Sequence, residues 1–121
     1  MRIESITIAG FRSFGPWPEQ VELAGDLTAI VGPNASGKTA LLQAFSKMFG
    51  VTRAQRSLDR SDFHLPVGVA PDDKTTRDLL IDVVIALPER QKGKATADTV
   101  APTFRHMHIA KPKDTKTVKI A

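Results

Sequence analysis

Residues 32–39 read Gly32-Pro33-Asn34-Ala35-Ser36-Gly37-Lys38-Thr39, which satisfies the spacing G-x-x-x-x-G-K-[ST]. Each position has a chemical reason. Gly32 and Gly37 let the backbone turn tightly enough for its N–H groups to surround phosphate oxygens, and a helix opening near Lys38 points its positive dipole end at the same anion. Lys38 is the residue that reaches β- and γ-phosphates, which makes it the candidate catalytic residue, and the Thr39 hydroxyl is the candidate ligand to Mg²⁺. With Gly near ~7% of residues, Lys near ~6% and Ser plus Thr near ~12%, chance supplies such a match in about 4 of 1,000 chains of this length. The residues therefore point to a nucleoside triphosphate bound with Mg²⁺ over 32–39 as one unit.

The motif works only between a strand and a helix, and its flanks have those patterns. Leu27-Thr28-Ala29-Ile30-Val31 is a largely apolar, β-branched run of the kind that forms a buried strand, and it stops at Gly32. From Thr39 the apolar residues Leu41, Leu42, Phe45, Met48 and Phe49 recur at helical spacing, with Gly50 placed just past the helix end. Upstream, Ile3 to Ile8 alternates as a first strand ending near Phe11, and Gly15-Pro16-Trp17-Pro18 forms a turn in which Trp17 is read as turn packing. Downstream, 51–73 is an irregular connection with a short helical turn. Asp78 to Leu87 is β-rich and stopped by Pro88, Thr103 to Ile109 is a strand, and Thr117 to Ile120 begins another. Gln91 to Asp98 is read as a loop and Pro112 to Lys116 as a turn.

Length and composition limit what these elements belong to. The 121 residues are 41% apolar and 25% charged, which suits one folded domain and argues against disorder or a coiled coil. The longest apolar run, Val83 to Leu87, is far short of the ~18–20 residues that cross a bilayer. The amino terminus lacks the pattern of a secretory signal, so the expected location is the cytoplasm. The absence of cysteine removes disulfides and thiolate chemistry. Net charge is +4, with +6 over residues 90–121 and −2 over 1–89. Such a basic stretch is compatible with nucleic acid, but solvated lysines on exposed strands and turns are the commoner use of one.

The opening Ile6-Thr7-Ile8-Ala9-Gly10-Phe11-Arg12-Ser13-Phe14, together with Leu27 to Asn34, resembles the amino terminus of ATPases related to SMC and RecF proteins, and within them the OLD family of ATP-dependent endonucleases. The resemblance is strongest over residues 1–50. It implies an α/β P-loop NTPase core, a partial ABC ATPase head with an antiparallel β-subdomain beside it. It also implies ATP and Mg²⁺ as cofactors, DNA as the partner of the whole protein, and homo-oligomers formed through engaged heads. By the same resemblance Arg12 lies near the nucleotide as a second phosphate contact, and Asn34 and Ser36 stand at loop positions that face the phosphates.

Other parts of that pattern are missing. Leu79-Leu80-Ile81-Asp82 approaches a Walker B strand, but Val83 stands where the glutamate belongs, and there is neither a signature segment nor a Toprim acidic cluster. Residues 1–121 are therefore expected to be the front of an ABC-type ATPase domain, unable to hydrolyse ATP alone, with the rest of the ATPase and any Toprim nuclease outside them. The expected function is ATP-controlled DNA cleavage, with a role in defence against phage. The alternatives are a RecF- or SMC-like repair ATPase and a non-catalytic ATP-binding module. Asp62 and His64 are read as structural, as are His106 and His108, which share a strand face without a third ligand.

Overall fold

The computed structural model describes residues 2–86 and the strand backbone of 117–120. Strand β1, Arg2–Ala9, follows the alternation of its sequence, and Ile6 and Ile8 on one face are fully buried. Strand β2 is Glu19–Glu22, β3 is Leu80–Ala86 and β4 is Thr117–Ile120. They form one sheet in the order β2-β1-β3-β4. β3 and β4 are antiparallel, with Val83 opposite Ile120 and Ile85 opposite Val118. This sheet stands where an antiparallel β-subdomain was expected.

The chain divides into two compact units. Among the described residues, the first holds 2–6, 21–28, 82–86 and 117–120, and its core includes Ile6, Val83 and Ile85. Each fully buried aliphatic side chain of this kind contributes roughly 1.5–3 kcal/mol. The second unit holds residues 7–20 and 29–81, with Ile8, Phe11, Leu41, Ala44 and Ile81 buried. Helix α1, Lys38–Phe49, turns Ala40, Leu41 and Ala44 inward, a face set by i, i+3, i+4 spacing. Leu42, one residue off that face, is exposed despite its apolar side chain.

Two expectations need correction. Leu27 to Val31 is not a buried strand: Leu27 is 82% and Val31 92% exposed, and the segment belongs to no strand. An extended run becomes a strand only where neighbours accept its hydrogen bonds, and none of the described strands pairs with it. Gly50 ends α1 where expected, with its N–H bonded to the Ser46 carbonyl and φ −54°. Glycine is needed there for room, since a Cβ would lie 2.6 Å from both the Ser46 oxygen and Gln55 Cβ. Trp17 is 80% exposed and does not pack the turn.

The connection after α1 contains the expected helical turn, α2 at Arg53–Arg56, closed by a reciprocal capping box between Thr52 and Gln55. A 3-10 turn follows at Arg60–Asp62. Segment 91–98, strand 103–109 with His106 and His108, and turn 112–116 lie outside the described residues.

Candidate functional site

The loop before α1 has the backbone that its glycines suggest. Ser36 N–H bonds the Pro33 carbonyl at 3.3 Å, Ala35 takes φ +64° and Gly37 takes φ +92°. Only glycine adopts the last of these without strain. A Cβ on Gly37 would sit 3.4 Å from Ser13 Oγ and 3.7 Å from Phe14 Cζ, so the Phe11–Phe14 segment closes on the loop. A Cβ on Gly32 would meet Ser36 Oγ at 2.8 Å. Helix α1 has no side-chain cap and no acidic residue in its first turn. No internal carboxylate therefore competes for its first amides and dipole, which suit an anion. A cradle that a Cβ would fill, at the start of an uncapped helix, fits a phosphate chain.

Lys38 is anchored within this loop. Its ammonium donates to the Gly32 carbonyl, to the Pro33 carbonyl at 2.6 Å and, more weakly, to Ser36 Oγ at 3.4 Å. Gly32, Pro33 and Ser36 therefore surround the lysine. Arg12, Ser13, Asn34, Lys38, Thr39 and Gln43 line a cleft of about 350 Å³, to which Ala35 and Gly37 add backbone. The structure thus brings Arg12 to the same cleft as Lys38 and Thr39, although 26 positions separate the two basic residues in sequence.

Arg12 itself has an unusual backbone, with φ +50° for a non-glycine residue. Residues 59–64 hold it there. Arg12 N–H bonds the Asp62 carbonyl at 2.8 Å, His64 Nδ1 lies 2.7 Å from the Arg12 carbonyl oxygen, and Phe11 and Phe63 form an isolated bridge. The guanidinium donates through Nε at 3.1 Å and Nη2 at 2.7 Å to Asp62 Oδ1. It also lies 5.7 Å from the centroid of the Phe11 ring. Asp62 Oδ2 receives Lys47 Nζ at 3.0 Å and the Asp59 N–H at 2.9 Å. Asp62 is only 1% exposed. Burial pushes its carboxyl upward, but the Asp59 amide, Lys47 and Arg12 together outweigh this and hold it below the ordinary aspartate range.

These placements sort the candidates. Asp62 and His64 fasten the Arg12 corner, and Asp62, held by two cations, is occupied as an acceptor. Among the described residues no group of three His, Asp or Glu is placed to hold a metal ion. Asp82 is buried in β3. Sequence reasoning missed Gln43 and Lys47. Gln43 had a readable signal, because it stands four residues after Thr39 on the same helix face. Lys47 had none, since its partner Asp62 is a loop residue with no fixed spacing from it.

A family model described as AAA ATPase domain matches residues 1–119. The chromosome partition protein Smc of Burkholderia pseudomallei (strain 1710b) is 41% identical over 54 residues, which are 45% of this chain and 4% of that protein. The Smc protein of Methylococcus capsulatus is 40% identical over 55 residues, 46% of this chain and 5% of its own length. That of Aquifex aeolicus is 36% identical over 53 residues, 44% and 5% respectively. The chain therefore spans only a small fraction of these relatives. Their similarity supports the SMC and RecF-like grouping of ATPases.

Proposed function

Since the chain belongs to the AAA ATPase domain family, we propose that it binds ATP with Mg²⁺ in the cleft between Arg12 and the 32–39 loop. The observation that carries this reading is the cradle at Gly37: a left-handed glycine at an uncapped helix start, with Lys38 and Arg12 on the same cleft. The loop amides and the first turn of α1 receive phosphate oxygens, Lys38 exchanges its carbonyl partners for the β- and γ-phosphates, and Arg12 adds a forked donor. Thr39 supplies one oxygen to the metal, which when bound offsets the charge of the two outer phosphates. Gly32, Pro33, Asn34, Ala35 and Ser36 complete the loop. Binding, and not hydrolysis, is assigned to these residues.

In the whole protein, this site controls a DNA endonuclease of the OLD type in the cytoplasm, through homo-oligomers of engaged heads. That reading rests on the Phe11-Arg12-Ser13-Phe14 segment and its partner Leu27 to Asn34. The Smc relatives favour a second reading, an SMC- or RecF-like ATPase that engages DNA without cutting it.

ATP titration with Mg²⁺ tests the site: Lys38→Ala should weaken binding by roughly 100-fold or more, the loss of two charge-assisted contacts. Unchanged affinity would refute the assignment. ATP-dependent cleavage of DNA by the full-length protein supports the OLD reading. DNA-stimulated ATP turnover without cleavage supports the second.

A further inference from the structure

We propose that Asp62 is a positioning residue for the nucleotide site, holding the Arg12 guanidinium on the phosphate cleft. The proposal rests on the ATP-binding reading above and adds to it a residue that does not line the cleft. Asp62 fixes Arg12 twice, by its backbone carbonyl to the Arg12 N–H and by one carboxylate oxygen to Nε and Nη2. The remaining guanidinium N–H groups are left for another acceptor, and the Arg12 side chain keeps 35% of its surface exposed.

A carboxylate beside an arginine ordinarily cancels the charge that a phosphate needs. Here it does not, because the other oxygen of Asp62 is matched by Lys47. Two cations share one anion, so the cluster retains a positive charge while the arginine is fixed in direction. A long side chain that is ordered before a ligand arrives loses less freedom on binding, which is how such an anchor raises affinity.

Lys47 separates positioning from simple stabilisation. It bonds Asp62 Oδ2 and the Ser57 carbonyl and does not line the cleft. ATP affinity should be measured with Mg²⁺ in full-length protein, well below each variant's thermal midpoint. Arg12→Ala and Asp62→Asn should each weaken ATP roughly tenfold, and the double variant no more than Arg12→Ala alone. Lys47→Met should lower the thermal midpoint and, because it removes charge but leaves Arg12 fixed in direction, weaken ATP by no more than about threefold. In the parent protein the Arg12 Nε–H resonance, assigned by its loss in Arg12→Ala, should be resolved and slow to exchange, a result that needs no Asp62 variant to fold.

Four results would overturn the proposal: parental affinity in folded Asp62→Asn, additive losses in the double variant, an equal loss in Lys47→Met, or an Arg12 resonance exchanging as a free side chain. Absence of ATP binding by the parent would instead overturn the functional reading on which it stands.

Discussion

Replacing Gly10 by alanine should unfold the corner that carries Arg12, and the contributions can be separated with four glycines. Gly10 has φ +65°, and a Cβ there would lie 2.1 Å from the Asp78 carbonyl oxygen and 3.2 Å from its carbon. These are backbone atoms, so no rotamer change relieves the overlap. The left-handed conformation costs an alanine about 1–2 kcal/mol. The displaced peptide also carries the bonds from Gly10 N–H to Gly15 and from His64 N–H to Gly10, each worth about 1 kcal/mol. The total is about 3–4 kcal/mol.

Gly68 has φ +85° with nothing within 4 Å of its Cβ position, so Gly68→Ala isolates the strain at about 1–2 kcal/mol. Gly50 isolates the overlap, since its φ is ordinary but its Cβ meets backbone at 2.6 Å. Gly15 has neither feature, and Gly15→Ala should be neutral or stabilise by about 0.4–1 kcal/mol through the unfolded chain. Thermal melts read the series at about 3–6 °C per kcal/mol for a chain of this size. Gly10→Ala should melt about 10–20 °C low and Gly68→Ala about 3–10 °C low. A Gly10→Ala midpoint within about 3 °C of Gly68→Ala would show that the close approach to Asp78 does not exist.

Asp62 is held below the ordinary aspartate value, so the stability it contributes is present above about pH 4 and is lost as pH falls through its depressed folded value. Acid unfolding followed by circular dichroism should show that loss, and Asp62→Asn should flatten it. At neutral pH, Asp62→Ala should cost about 2–3 kcal/mol in urea melts, less than a wholly buried pair because Arg12 and Lys47 both reach solvent. Thr39→Val should abolish the gain in ATP affinity that Mg²⁺ gives while leaving Mg²⁺-free binding within about threefold, measured by titration with and without EDTA. Thr52→Ala removes the N-cap of α2 and should cost about 1 kcal/mol locally, seen as faster amide exchange at residues 53–56.

The parts of this protein that depend on near neighbours in sequence were readable in advance. The loop over 32–39, the helix after it and the alternation of β1 follow from local backbone preference and periodicity. Leu27 to Val31 shows the limit, because apolar β-branched residues specify a readiness to pair and not the presence of a partner. Leu42 shows a milder form: helical spacing says which residues share a face, and the neighbours decide how wide that face is. The Arg12 corner was half legible. Arg12 was singled out by its segment, but its counter-ion lies 50 residues later, and an aspartate in a polar loop looks like any other until the loop folds back. The one local hint was Asp59 and Asp62 three apart, the spacing that closes the 3-10 turn and buries the second carboxylate.

The loop carbonyls that hold Lys38 also decide what kind of transaction a phosphate makes there. A free lysine side chain gives up roughly 1.5–2 kcal/mol of rotamer entropy when it is immobilised. In this protein that ordering is completed on folding, at the Gly32 and Pro33 oxygens. A phosphate then exchanges one set of oxygen acceptors for another around an ammonium already in place, and the number of hydrogen bonds is conserved. Recognition by this loop is therefore governed less by how much the lysine attracts an anion than by how much better a doubly charged phosphate accepts than two neutral carbonyls. On the proposed ATP-binding reading, neutral or singly charged ligands would gain little from the exchange, and selectivity for highly charged phosphates would follow from the loop's own internal bonding.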